Sequence, residues 1–222
     1  MTAKNKSFIF TQCVNILKST GKKAADIHEL RAIIADISEE SIFHHTCQYF
    51  LKEHVLEYTN DFARWAGESL EESSLAEHLS NIDPYDYRNM QGLRNELLRV
   101  IDDYMKKYRE PRRAIPGDEF YFNETVTLTF PVGIQAQNLA EFLIGIRFID
   151  PQSIYYHFYE ARMRLRNGVD DFSLWMEQVL GKKELAERIR AIDPFMHHIE
   201  GIRDFIVTAV EEEVKNEMEV IH

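Results

Sequence analysis

The stretch "FYFNETVTLTF", Phe120–Phe130, decides what kind of fold this chain can adopt. Phe120, Phe122, Val126, Leu128 and Phe130 occupy even positions and alternate with Tyr121, Asn123, Thr125, Thr127 and Thr129. A period of two in residues rich in aromatic and β-branched side chains predicts a strand. Shifting the chain by 112 residues lays Phe8, Phe10, Val14, Gly21, Ala24, Glu29, Ile34, Ile37, Ser41, Ile42 and His45 on Phe120, Phe122, Val126, Gly133, Ala136, Glu141, Ile146, Ile149, Ser153, Ile154 and His157. The parity recurs in Phe8, Phe10, Val14 and Ile16, although Phe10, Val14 and Leu17 also fit a helix. For residues 8–17 both readings stay open.

Further along, a shift of 110 aligns "DFARWAGESLEESSLAEHLSNIDP" (61–84) with "DFSLWMEQVLGKKELAERIRAIDP" (171–194) without a gap, and 10 of the 24 positions are identical. Average composition gives roughly one or two. The sequence therefore reads as a tandem duplication: a first repeat over 1–107, a linker over 108–118 broken by Pro111 and Pro116, and a second repeat over 119–222. Sequence similarity at a fixed spacing is the signature of repeated structural units.

Helix starts are marked by short polar residues that can accept from free amides of a first turn. Asp26 and Asn138 are each followed three positions on by Glu29 or Glu141, the capping-box spacing. Ser38 matches Asp150, which precedes Pro151, and Asn60 matches Asp170. Asp83-Pro84 and Asp193-Pro194 are read as opening the last long amphipathic segment of each half. Each half thus reads as a strand followed by about five helices. The expected fold is mainly α, with a short β element per half, forming an internally duplicated helical domain with pseudo-twofold symmetry.

With 222 residues, 45% of them hydrophobic, the chain can bury a sizeable core. A net charge of −11 disfavours nucleic-acid binding, because it repels phosphate backbones. Lys106, Lys107, Arg109, Arg112 and Arg113 form the one basic cluster, and a solvated linker explains it. Neither a signal peptide nor a run of ~18 apolar residues is present, so the expectation is a cytoplasmic protein without a membrane span. Cys13 and Cys47 align with Thr125 and Tyr159, which argues for two buried thiols and against a shared disulfide framework.

His45 and His157 are the only histidines at equivalent positions. A metal site needs imidazoles converging within about 2.1 Å of one point. Adjacent helical residues diverge by roughly 100°, so His44 and His45 are not expected to chelate together. The preferred reading is that each repeated histidine is partly buried and hydrogen-bonds a cap or carbonyl of the neighbouring helix, with no metal. Asp61 and Trp65, repeated as Asp171 and Trp175, lie four apart on one helix face. They are candidate ligand-binding residues with His45 and His157, although a first-turn carboxylate and a core indole are the preferred explanation of them. Arg94 with Glu77, and Arg203 with Glu187, are expected to form helix-to-helix ion pairs. His54 and the pair His197-His198 have no histidine counterparts. No phosphate loop, dinucleotide fingerprint or nucleophile elbow is present, so no cofactor is expected.

The combined pattern of "SIYYH" (153–157), DFxxW, "LAE" and "IDP" resembles an uncharacterised bacterial family known as a domain of unknown function. That resemblance spans most of the chain and implies a soluble protein, with no established activity to transfer. The leading expectation is a non-enzymatic interaction or regulatory module that binds a protein or small molecule between its halves; a homodimer is a further possibility. The alternative is a metal-assisted hydrolase or another small-molecule enzyme built on the paired His and Asp positions.

Overall fold

Two long strands organise the chain: β1 (Phe8–Ala24) and β2 (Phe120–Ala136), each of 17 residues. They pair antiparallel in a two-stranded sheet. The computed structural model describes residues 7–47, 58–87, 89–108, 112–164, 169–194 and 196–220. After β1 come α1 (Ile27–Asp36), α2 (Glu39–Thr46), α3 (Asp61–Glu68), α4 (Ser73–Ser80) and α5 (Met90–Lys107). After β2 come α6 (Leu139–Phe148), α7 (Pro151–Ile154), α8 (Ala161–Arg164), α9 (Asp171–Gln178), α10 (Lys183–Arg190) and α11 (Ile199–Val220). A π-helical turn, Tyr155–Glu160, joins α7 to α8.

The polar starters act as caps. Asp26 accepts from Glu29 N, Asn138 from Glu141 N, Ser38 from Ser41 N, Asp150 from Gln152 N, Asn60 from Ala63 N and Asp170 from Ser173 N. Glu29 and Glu141 reach back to the amides of Ala25 and Gln137, both at 2.8 Å, so two free donors are satisfied at each start. Asp83 behaves differently: it caps only a short 3-10 turn, Pro84–Asp86, and α5 starts later, at Met90 under Asn89. The long helix did not need the Asp-Pro signal because Asn89 accepts from Gly92 N instead.

The chain divides into two compact units, and the divide cuts both strands. One unit is residues 15–126; the other joins residues 1–14 to 127–222. In the 15–126 unit, Phe120 stacks on Phe62 at 5.1 Å and meets Trp65 edge-on at 5.7 Å. In the other unit, Phe8 packs on Phe142, Phe172 and Trp175. There Gly145 of α6 lies against Phe10, so close that an added Cβ would sit 2.5 Å from the ring.

This arrangement overturns the expected architecture. An internally duplicated domain with pseudo-twofold symmetry called for a short β element closed within each half. The described residues are instead 59% helix and 19% strand, with one sheet of two long strands and no evidence of internal duplication. Each unit takes one segment of β1 and one of β2. The physical reason lies in the aromatic partners: Phe8 and Phe10 find theirs on helices beyond residue 138, not on α1 to α3. Alternation reports that a strand face is covered, but not which helix covers it.

Alternation also misplaced part of each strand. Phe120, Phe122 and Thr125 are buried, as are Phe8, Phe10 and Cys13. The inward phase slips by one residue at the half-buried pair Asn123-Glu124, so Val126, Leu128 and Phe130 are exposed rather than grouped with Phe120. A one-residue slip sends every later side chain to the opposite face.

Arg94 and Arg203 do not pair with Glu77 and Glu187. Arg94 donates to the carbonyl of Ile34 at 2.9 Å, near the end of α1. Arg203 donates to the carbonyls of Ile146 and Ile149 at 2.7 and 2.8 Å, at the end of α6, and pairs with Glu200. Carbonyls in a last turn lack an intrahelical donor, and a buried guanidinium supplies it. Among the described residues no helix is long and apolar enough to cross a membrane.

Candidate binding site

A candidate site lies in the 15–126 unit, where α2 runs along residues 123–125 of β2. Three contacts fasten it. The Ser41 hydroxyl donates to the Asn123 carbonyl at 2.7 Å, the Asn123 amide donates to His45 Nε2 at 3.0 Å, and His44 Nδ1 lies 2.8 Å from Thr125 Oγ1. On the other side His45 Nδ1 meets Asp61 Oδ2 at 3.0 Å. Asn60 fixes that carboxylate by capping α3 and placing Asp61 at its first position.

These partners settle the state of His45. A backbone amide can only donate, so Nε2 carries the lone pair and the proton resides on Nδ1, donated to Asp61. The ring is neutral and both nitrogens are engaged. The second oxygen of Asp61, Oδ1, pairs with Arg64 at 3.2 Å.

His44, His45 and Asp61 offer ligand atoms within 4.8 Å of one another. The adjacent histidines, expected to diverge, meet edge to face with ring centroids 4.7 Å apart. As a metal site the set fits poorly: His45 would have to release the Asn123 amide, leaving a half-buried donor unsatisfied. Coordination needs a free imidazole lone pair, which His45 does not offer.

Around this cluster opens a cavity of about 440 Å³, lined by His44, Arg64, Trp65, Glu68, Asp118 and Tyr121 among others. Trp65 is a wall, not a platform: it is buried, and its indole N–H donates to the Asp118 carbonyl at 2.7 Å. Tyr121 is the open aromatic, 51% exposed. Glu119, at the rim, bonds the Lys23 ammonium at 3.0 Å. The Lys23 ammonium, helped by the amides of Glu119 and Gly117, holds this carboxyl down at about 2. Cys47, at the end of α2, is buried; desolvation pushes its thiol up to about 12.

The other unit repeats the clamp without the cluster. His157 Nε2 accepts from the Thr11 amide at 2.8 Å, and Nδ1 meets Asp171 Oδ2 at 2.8 Å. Tyr156 stands where a second histidine would be needed. Trp175 is buried and stacks on Phe142 at 5.7 Å. His45, Asp61 and Trp65 thus come together in one unit, and His157, Asp171 and Trp175 in the other.

Sequence reading set His44 aside and missed Arg64, Glu68, Asp118, Glu119 and Tyr121. Arg64 and Glu68 lie three and seven residues after Asp61, a helical spacing that could have flagged them. Asp118 to Tyr121 reach the site only through the tertiary fold. Of the basic cluster, Lys106 pairs with Asp103, Arg112 with Glu71, and Arg113 with Asp26 and Glu29. Arg109 and His54 lie outside the described residues. His198 Nδ1 accepts from the Gly201 amide at 3.0 Å, and His197 packs on Phe205.

This chain belongs to a defined family. The chain is a member of the family of unknown function DUF5752, whose sequence profile matches residues 5–211. The solved structure of OrfY from Thermoproteus tenax is similar, with a TM-score of 0.80 and 32% identity over 93% of this chain and 95% of that one. No curated protein matches the chain.

Proposed function

We propose that this protein is a binding module, without a reaction of its own, that takes a small polar molecule into the cavity of the 15–126 unit. One observation carries the reading: α3 and residues 118–121 converge charged and aromatic groups on a cavity of about 440 Å³. That volume falls in the range of small-molecule pockets, roughly 300–1,000 Å³, and sites of this kind combine apolar walls with a few placed polar groups. His45 and Asp61 support the wall by locking α2, α3 and β2 together, and their polar atoms are spent on one another, on the Asn123 amide and on Arg64.

The metal-assisted alternative has one observation in its favour, the proximity of His44, His45 and Asp61. The engagement of both His45 nitrogens weighs against it. Elemental analysis of untagged protein separates the two readings: about one equivalent of metal, lost with His44→Ala, favours the enzyme.

The binding reading is tested by thermal melts against a panel of sugars, amino acids, amines and nucleosides. A ligand at 100 times its Kd stabilises by about 2.7 kcal/mol, a rise of roughly 5–10 °C for a chain of this size. The rise should vanish in Tyr121→Ala or Glu68→Arg. A panel in which no member shifts the melt, or shifts that persist in both variants, would sink the reading.

A further inference from the structure

Resting on that reading, we infer that the cavity selects an organic amine: a molecule carrying at least one ammonium group on a short carbon frame. The lining contains four carboxylates, Asp61, Glu68, Asp118 and Glu119, against one guanidinium, Arg64. Arg64 is already matched to Asp61, and Glu119 to Lys23. Glu68 and Asp118 remain, and among the described residues neither carboxylate has a hydrogen-bond or ion-pair partner. A cavity that presents two unmatched carboxylates repels phosphate and carboxylate ligands. It attracts a cation.

The protein itself displays the recognition chemistry at the rim. The Lys23 ammonium bonds Glu119 at 3.0 Å and lies 5.9 Å from the centroid of the Tyr121 ring. A carboxylate beside the face of an exposed aromatic is the arrangement that holds ammonium groups. Glu68 and Asp118 border the same cavity as Tyr121 and Trp65, so a bound amine would meet equivalent chemistry with apolar walls for its carbon chain.

The experiment is isothermal titration of the whole chain with 1,4-diaminobutane and, separately, with 1,4-butanediol and succinate, matched frames that differ in charge. The expected result is saturable diamine binding, weakened at least about fivefold by Glu68→Gln and by Asp118→Asn. Glu184→Gln, an exposed acid on α10, should leave it unchanged, which separates the site from attraction by the net charge. Equal or tighter binding of the diol or of succinate would overturn the amine inference while leaving a binding cavity. Diamine binding unaffected by Glu68→Gln and Asp118→Asn would overturn it too. If none of the three probes binds and the wider panel is also silent, the binding reading itself falls.

Discussion

His45 and Asp61 form a buried couple, Nδ1 to Oδ2 at 3.0 Å, whose other end holds the Asn123 amide. One imidazole therefore ties α2 to α3 and to β2. His45→Phe keeps the volume but leaves an amide and a carboxylate short of partners. The expected loss is about 2–4 kcal/mol in urea unfolding. Asp61→Asn should cost less, about 1 kcal/mol, because the amide oxygen can still accept from Nδ1. Long-range nitrogen–proton correlation should show His45 protonated at Nδ1 and bare at Nε2.

Cys47 gives a stability that depends on pH in one direction. Its folded thiol titrates at about 12, above the unfolded value of 9.0, because burial penalises the thiolate. The folded state holds the proton longer, so this contribution is complete below pH 9 and shrinks as pH rises from 9 towards 12. At pH 11 the loss is about 2–3 kcal/mol. Cys47→Ala should flatten that slope, and iodoacetamide at pH 8 should label Cys47 only after denaturation.

Gly145 and Gly201 predict opposite signs for the same substitution. A Cβ on Gly145 would lie 2.5 Å from Phe10 Cε2, whereas on Gly201 the nearest atom would be His198 Cε1 at 3.6 Å. Gly145→Ala should destabilise by about 1–3 kcal/mol through overpacking. Gly201→Ala, in helical backbone with ordinary clearance, should stabilise by roughly 0.5–1 kcal/mol. Paired thermal melts decide it.

Glu119 is held low first by the Lys23 ammonium. Its interaction is present above the ordinary carboxyl value of 4.5 and is lost as pH falls through about 2. Lys23→Met should move the Glu119 titration upward, measured by carbon-detected NMR between pH 2 and 6. No movement would mean that the backbone amides alone set it.

The caps were legible because they depend on residues two or three positions apart. Asp26, Asn138, Asn60 and Asp170 each serve an amide within three residues, and such geometry needs no knowledge of the rest of the chain. A hydrogen bond from the repeated histidine to a helix cap or carbonyl was expected; the Asp carboxylates that take Nδ1 were visible as repeated residues, though not as its partners. The Asn123 and Thr11 amides that fix the ring were not expected. Nothing local in those residues marks them as partners.

By itself the sequence determined where α1, α2, α3, α6, α7 and α9 start, that Phe120 and Phe122 sit in a strand, and that the overall charge is negative. Each follows from local hydrogen bonding, side-chain alternation or composition. Only the tertiary structure decided that both strands run 17 residues and pass from one compact unit into the other. It alone brought Glu68 of α3 and Asp118 to one cavity. Burial of an aromatic face is satisfied by any complementary surface, and which surface wins depends on packing between segments more than 100 residues apart, as for Phe10 and Phe142.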